Sequence, residues 1–142
     1  MFVTVWLGIL EVSTGILTAA NAGHEYPAIR KKDGCFTLYK DKHGFVIGGV
    51  EGVHYKEYDI PMDPGDKLFI YTDGVPEATA GSGEMFGTER MTAALNSCAD
   101  GSPEKIIRKV KNDVDAFAGD AEQFDDITMM CLEYKGPQAV TD

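Results

Sequence analysis

Positive charge is scarce in this chain. Its 142 residues carry 13 lysines and arginines against 23 aspartates and glutamates, a formal charge of -10. That excess argues against nucleic acid or an anionic membrane as the main partner. A phosphate-bearing substrate would then need local positive charge from arginines, helix N-termini or bound cations. Cysteine and histidine are sparse too. Cys35, Cys98 and Cys131 are odd in number, far apart and without zinc-ligand spacing, and read as reduced thiols of a cytosolic protein. His24, His43 and His54 are scattered, with no helical i, i+4 pair. Long apolar runs are also missing. "MFVTVWLGIL" ends at Glu11 and no Lys or Arg precedes it. A signal peptide needs the basic start, and a membrane helix about 20 apolar residues. We expect a cytoplasmic location and no membrane contact from this segment. A longer protein carrying an upstream anchor is compatible with that.

Catalytic motifs with a covalent nucleophile or a phosphate loop are absent. There is no Walker-type loop, no G-x-G-x-x-G and no G-x-S-x-G elbow. Gly48 and Gly49 have no following helix, and Cys35 has no evident activating partner. "DVDAFAGDAEQF" invites an EF-hand reading, but Ala118 stands at the required glycine and Phe124 at the required glutamate.

What remains is an ordinary globular composition, 44% hydrophobic and 25% charged, in a length that suits one domain. The first half consists of short strands and turns. Phe2 to Leu10 and Ile16 to Ala22 form a hairpin across "VSTG". Ala28 to Arg30 and residues 35–39 form a second across "KKDG". Residues 43–49 are a glycine-rich crossing, 55–60 alternate like a half-exposed strand, and "PMDPGD" turns into the apolar strand Leu68 to Tyr71. The second half switches period. Met91, Ala94, Leu95 and Cys98 mark one helical face. Ser102, Pro103 and Glu104 open a second helix whose face is Ile106, Ile107, Val110, Val114 and Phe117. Residues 127–134 form a final strand, and 136–142 read as a frayed tail. Strands, then two helices, then a strand predict an α+β fold with mainly antiparallel sheet.

Two acidic places stand out. Asp73 ends the strand "LFIY" and precedes Gly74. Asp125 and Asp126 precede the last strand. A carboxylate at a buried strand end is costly unless paired, hydrogen-bonded or bound to metal. Alone, Asp73 reads as a turn cap and the Asp125–Asp126 pair as a solvated turn. In a regular strand only one of the two adjacent acids can face a given site, so one is expected inward. Together the two places suggest an oxygen-only site for a hard cation such as Mg²⁺ or Mn²⁺.

The blocks "NAGHEYP", "PGD…YTDG", "MFGTERM" and "FDDIT", in this order, resemble the PPM-type metal-dependent serine/threonine phosphatases. The likeness is to the stage II sporulation protein E branch, whose members include activators of bacterial stress sigma factors. It covers roughly residues 1–134. It implies an antiparallel β-sandwich flanked by helices, a domain over 1–135, and two Mn²⁺ or Mg²⁺ ions activating a water that attacks phosphoserine. The implied partner is a phosphorylated regulatory protein of the anti-sigma-factor antagonist type, and a homodimer is allowed. Carried over by position, Asp73 and Asp125 match catalytic metal ligands. Asp126 joins the metal set or orients its turn, and His24, Thr72 and Gly74 fall on the substrate side or around the ligands. The branch has a further glycine-aspartate motif on elements before Phe2, which this chain lacks. The resemblance therefore implies a C-terminal part with an incomplete two-metal centre. The alternative is a non-catalytic protein-binding fragment, or pseudophosphatase, of the same fold.

Overall fold

The computed structural model describes residues 1–138. Residues 139–142, part of the expected frayed tail, lie outside the described residues. Gly136 rests against the ring of Pro64.

β1 (Val5–Glu11) and β2 (Ile16–Ala22) form the first hairpin, in register from Val5 opposite Ala22 to Glu11 opposite Ile16. β5 (Tyr58–Pro61) pairs antiparallel on the other side of β2, completing a three-stranded sheet β1-β2-β5. The second sheet has the order β4-β3-β6-β7. Its strands are β3 (Ala28–Arg30), β4 (Phe36–Leu38), β6 (Lys67–Tyr71) and β7 (Met129–Glu133), all antiparallel to their neighbours. The expected α+β sandwich is present. The half-exposed strand predicted over 55–60 is shorter and starts at Tyr58. The last strand starts two residues later than its apolar run suggested. Ile127 and Thr128 are spent on the loop that enters it.

α1 (Gly87–Ser97) and α2 (Pro103–Ala118) cover one face of the second sheet. Ser102 caps α2 by accepting from the Lys105 amide at 3.3 Å, and Pro103 starts it where no intrahelical donor is needed. The face Ile106, Val110 and Val114 is buried, as its spacing requires. It packs with Phe69, Tyr71, Phe86, Met91 and Leu95 into the larger core. A smaller core of Leu17, Ile29, Ile60, Met62, Leu68 and Tyr134 lies between the sheets. β6 is thus buried on both faces, which explains why its sequence reads as a continuous apolar run rather than an alternation.

Two buried cations tie the helices to the sheet. Lys67 Nζ donates to the Ala99 and Gly101 carbonyls, each at 2.7 Å, satisfying backbone oxygens just past α1. Arg30 donates to Asp100 at 2.5 Å. Asn96 on α1 bonds the Phe36 amide and carbonyl at 2.6 and 3.2 Å, closing part of the free edge of β4. The C-terminal ends of β2 and β6 and the entry to β7 face the loops that carry the acidic residues.

Candidate metal and phosphate site

Thr72, Asp73 and Gly74 leave β6 in a tight turn, held by the Val75 amide on the Thr72 carbonyl at 3.0 Å and the Glu77 amide on the Asp73 carbonyl at 2.9 Å. The loop 121–128 runs alongside. Thr72 joins the two with three bonds. Its amide donates to the Thr128 carbonyl at 3.0 Å, its hydroxyl donates to the Asp126 carbonyl at 3.0 Å, and the Thr128 amide donates to that hydroxyl at 3.1 Å. Gly74 completes the junction by close approach. A Cβ on it would stand 2.3 Å from the Asp126 carbonyl oxygen. Only a residue without a side chain lets the two acidic loops lie this near each other.

The structure therefore brings Thr72, Asp73, Gly74, Asp125 and Asp126 to one place. It differs from the expected orientation in one respect. Asp73, Asp125 and Asp126 are all exposed, because 125–128 is irregular loop and the strict alternation of a strand does not apply there. The Asp125 carboxylate accepts from the Asp126 amide at 2.7 Å, and its carbonyl accepts from Gln123 Nε2 at 2.8 Å. Asp126 meets the junction through its backbone.

His24 sits in the turn after β2, half-buried, with Nδ1 3.1 Å from Thr4 Oγ1. Its neighbour Glu25 carries the stronger signal. Burial, and after it the Asp73 carboxylate, hold the Glu25 carboxyl above the ordinary range, with Glu77 adding in the same sense. The 23–26 turn thus lies beside the Asp73 loop, and Glu25, Asp73 and Glu77 share one negative field. The Tyr71 hydroxyl is buried without a hydrogen-bond partner among the described residues, and burial and the charge of Glu25 push its pKa up.

A buried polar network holds that turn. Asn21 Oδ1 accepts from the His24 amide at 2.8 Å, while Asn21 Nδ2 donates to the His24 carbonyl and to Asp41, each at 3.1 Å. Asp41, whose side chain is 0% exposed, also accepts from Tyr58, and His43 Nδ1 lies 3.3 Å away. Trp6 Nε1 donates to Tyr58 at 2.9 Å. Sequence reading did not single out Glu25, Glu77 or Asp41. Glu25 and Asn21 do lie inside "NAGHEYP", the block that carried His24.

Carboxylate oxygens suit a hard cation, so the donor type at Asp73 and Asp125 fits Mg²⁺ or Mn²⁺. The number of donors does not. Among the described residues, no three His, Cys, Asp or Glu side chains are grouped to hold a metal ion. The described residues could supply only part of a coordination sphere. No helix among them is long and apolar enough to cross a membrane.

The profile of one protein family, stage II sporulation protein E, matches residues 1–135. Protein IcfG of Synechocystis sp. is 32% identical over 132 residues, which are 93% of this chain and 20% of that protein. Phosphoserine phosphatase RsbU of Bacillus subtilis is 27% identical over 137 residues, 95% of this chain and 40% of the relative. The chain thus spans between a fifth and two fifths of these curated relatives. Among solved structures, the phosphatase domain of the cell fate determinant SpoIIE from Bacillus subtilis superposes with a TM-score of 0.73. It is 14% identical, with 96% of this chain and 60% of that one covered.

Proposed function

Because the chain belongs to the stage II sporulation protein E family of PPM-type phosphatases, we propose that it forms the catalytic part of a metal-dependent protein phosphatase. Its substrate in this reading is phosphoserine on a bacterial regulatory protein of the anti-sigma-factor antagonist type, and its setting is the cytoplasm. The functional unit is residues 1–135. The observation that supports this most is the Gly74 junction, which presses the Asp73 and Asp125 loops together although they lie far apart in sequence.

In this reading Asp73 and Asp125 hold Mn²⁺ or Mg²⁺, and further ligands come from outside the described residues or from solvent. Such cations supply an activated water and neutralise phosphate charge. The rest of the work falls to the chain itself. Thr72 and Gly74 fix the spacing of the two loops. Asp126 shapes its turn through its backbone. Asn21 and Asp41 hold His24 and Glu25 at the substrate side of Asp73.

The test is hydrolysis of p-nitrophenyl phosphate and of a phosphoserine peptide with Mn²⁺. Asp73→Asn and Asp125→Asn should each lower turnover by about 100-fold or more, in line with the loss of one strong charge stabiliser. Unchanged turnover in both variants would remove these residues from the site.

A second reading has its own support in the shortfall of grouped ligands. In it the chain docks a partner and turns nothing over. Metal-dependent turnover abolished by EDTA eliminates that reading, and partner binding without turnover establishes it.

A further inference from the structure

Beside the acidic junction lies a cavity of about 390 Å³. Its walls are the C-terminal turn of α2, the loop 119–125, the turn 74–79 and Met85. The floor is apolar, formed by Val114, Ala118 and Ile127. At the mouth stand two apolar side chains held in solvent, Met85 at 57% and Phe124 at 82% exposure. The polar rim has one sign. Glu77, Asp115, Glu122 and Asp125 line the cavity, and no Lys, Arg or His does. Of these four, only Asp115 has a cation, Lys111 at 2.5 Å, among the described residues.

We propose that this cavity docks a short segment of the partner protein in which a lysine or arginine adjoins an apolar residue. The chemistry of the walls selects that occupant. A long basic side chain buries its methylene stem on Val114, Ala118 and Ile127 while its charged head meets the rim carboxylates. The apolar neighbour packs on Phe124 and Met85, whose exposure is otherwise uncompensated. An acidic segment is repelled by the rim, and the two uncharged side-chain donors there, Thr79 and Gln123, are already bonded to the Glu77 and Asp125 carbonyls at 2.8 Å each. Gly74 and Asp125 belong both to this cavity and to the acidic junction, so a segment seated here carries its adjoining residues to that junction. The inference deepens the phosphatase reading and rests on it for the identity of the partner as substrate. The cavity's preference for a basic-apolar segment stands on its own walls.

The experiment uses the full chain in EDTA, so that no metal centre contributes. A fluorescein-labelled peptide of alternating arginine and leucine is titrated by anisotropy beside its glutamate-leucine counterpart. The arginine peptide should bind saturably and the glutamate peptide should not. Ala118→Trp, which fills the floor, and Glu122→Lys, which reverses the rim, should each weaken binding about tenfold, or ~1.4 kcal/mol. Glu104→Lys makes the same charge change in the first turn of α2, about 20 Å along that helix, and should leave affinity within about twofold. Equal binding of both peptides, equal loss in all three variants, or no saturable binding would overturn the proposal. Glu122→Lys alters only a surface side chain, so the test survives if Ala118→Trp does not fold. Hydrolysis of p-nitrophenyl phosphate, too small to need the cavity, reports on the phosphatase reading separately. Hydrolysis by the parent chain without saturable binding of the arginine peptide refutes the docking site alone.

Discussion

Replacing Gly74 by alanine tests the junction that joins the two acidic loops. The added methyl would sit 2.3 Å from the Asp126 carbonyl oxygen and 3.0 Å from its carbon, whereas ordinary contact begins near 3.4 Å. The two loops must therefore part by about 1 Å. A shift of that size takes the Thr72 hydroxyl out of range of the Asp126 carbonyl, now at 3.0 Å. Overpacking of this kind costs about 1–3 kcal/mol, and the lost bond about 1 kcal/mol. Restriction of the unfolded chain returns about 0.4–1 kcal/mol. The net expectation is a loss of about 2 kcal/mol. The φ angle of Gly74 lies outside the left-handed region, so the substitution reports on space and not on backbone strain. Gly81 supplies the control. It too has an ordinary φ, with nothing within 4 Å of an added Cβ, so Gly81→Ala should be neutral or slightly stabilising. Urea unfolding followed by far-ultraviolet circular dichroism gives both values, provided the slopes agree. The same samples, titrated with Mn²⁺, should show weaker uptake by Gly74→Ala. A loss under about 0.5 kcal/mol with unaltered Mn²⁺ uptake would refute the close junction and its role in setting the spacing of Asp73 and Asp125.

Two further predictions concern buried carboxylates, one beside the site and one at the far end of β6. Tyr58→Phe removes a donor from the fully buried Asp41 carboxylate and the acceptor of Trp6 Nε1. It should cost about 1–3 kcal/mol in urea unfolding and change the emission of Trp6, the single tryptophan. Unaltered stability and emission would show that the network does not hold. Asp66 is opposed by burial, but Lys31 at 2.6 Å and the amides of Asp63 and Lys32 prevail and hold its carboxyl below the ordinary value of 3.8. Its folded-state pKa is thus the lower one. Its contribution is present above about pH 3.8 and is lost as pH falls through the folded value. Asp66→Asn should be less stable than the parent at neutral pH, with the gap closing in acid. A gap independent of pH would contradict this.

Much of the fold was legible in the sequence because its signals are local. β2 and β3 have the bounds that their apolar runs and flanking turns suggest, and Ser102-Pro103 marks the start of α2. The start of β7 was not legible. Periodicity cannot tell whether Ile127 and Thr128 pair with a strand or cross to Thr72, since that bond spans 56 residues. Asp73 and Asp125 were readable as strand-terminal acids. Their exposure was not, because it depends on how the loop 121–128 leaves the helix. Glu25 stayed hidden for a further reason. Its altered titration arises from burial and from charges brought in by β6, and neither leaves a mark on neighbouring residues in the chain. Likewise Asp41 lies between Lys40 and Lys42 in the chain, and nothing beside it marks the Asn21 and Tyr58 that close around it.

The pairing of β6 with β7 has a consequence for how the protein is made. Asp73 leaves the ribosome with β6, whereas the strand that brings Asp125 alongside ends at Glu133. About sixty residues separate the two, including both helices. At a synthesis rate of about 5–20 residues per second, Asp73 waits several seconds for its counterpart. During that interval one long side of β6 has no strand to bond, and the acidic junction does not exist. Any property that needs both loops can arise only late in translation, once nearly the whole described chain has emerged.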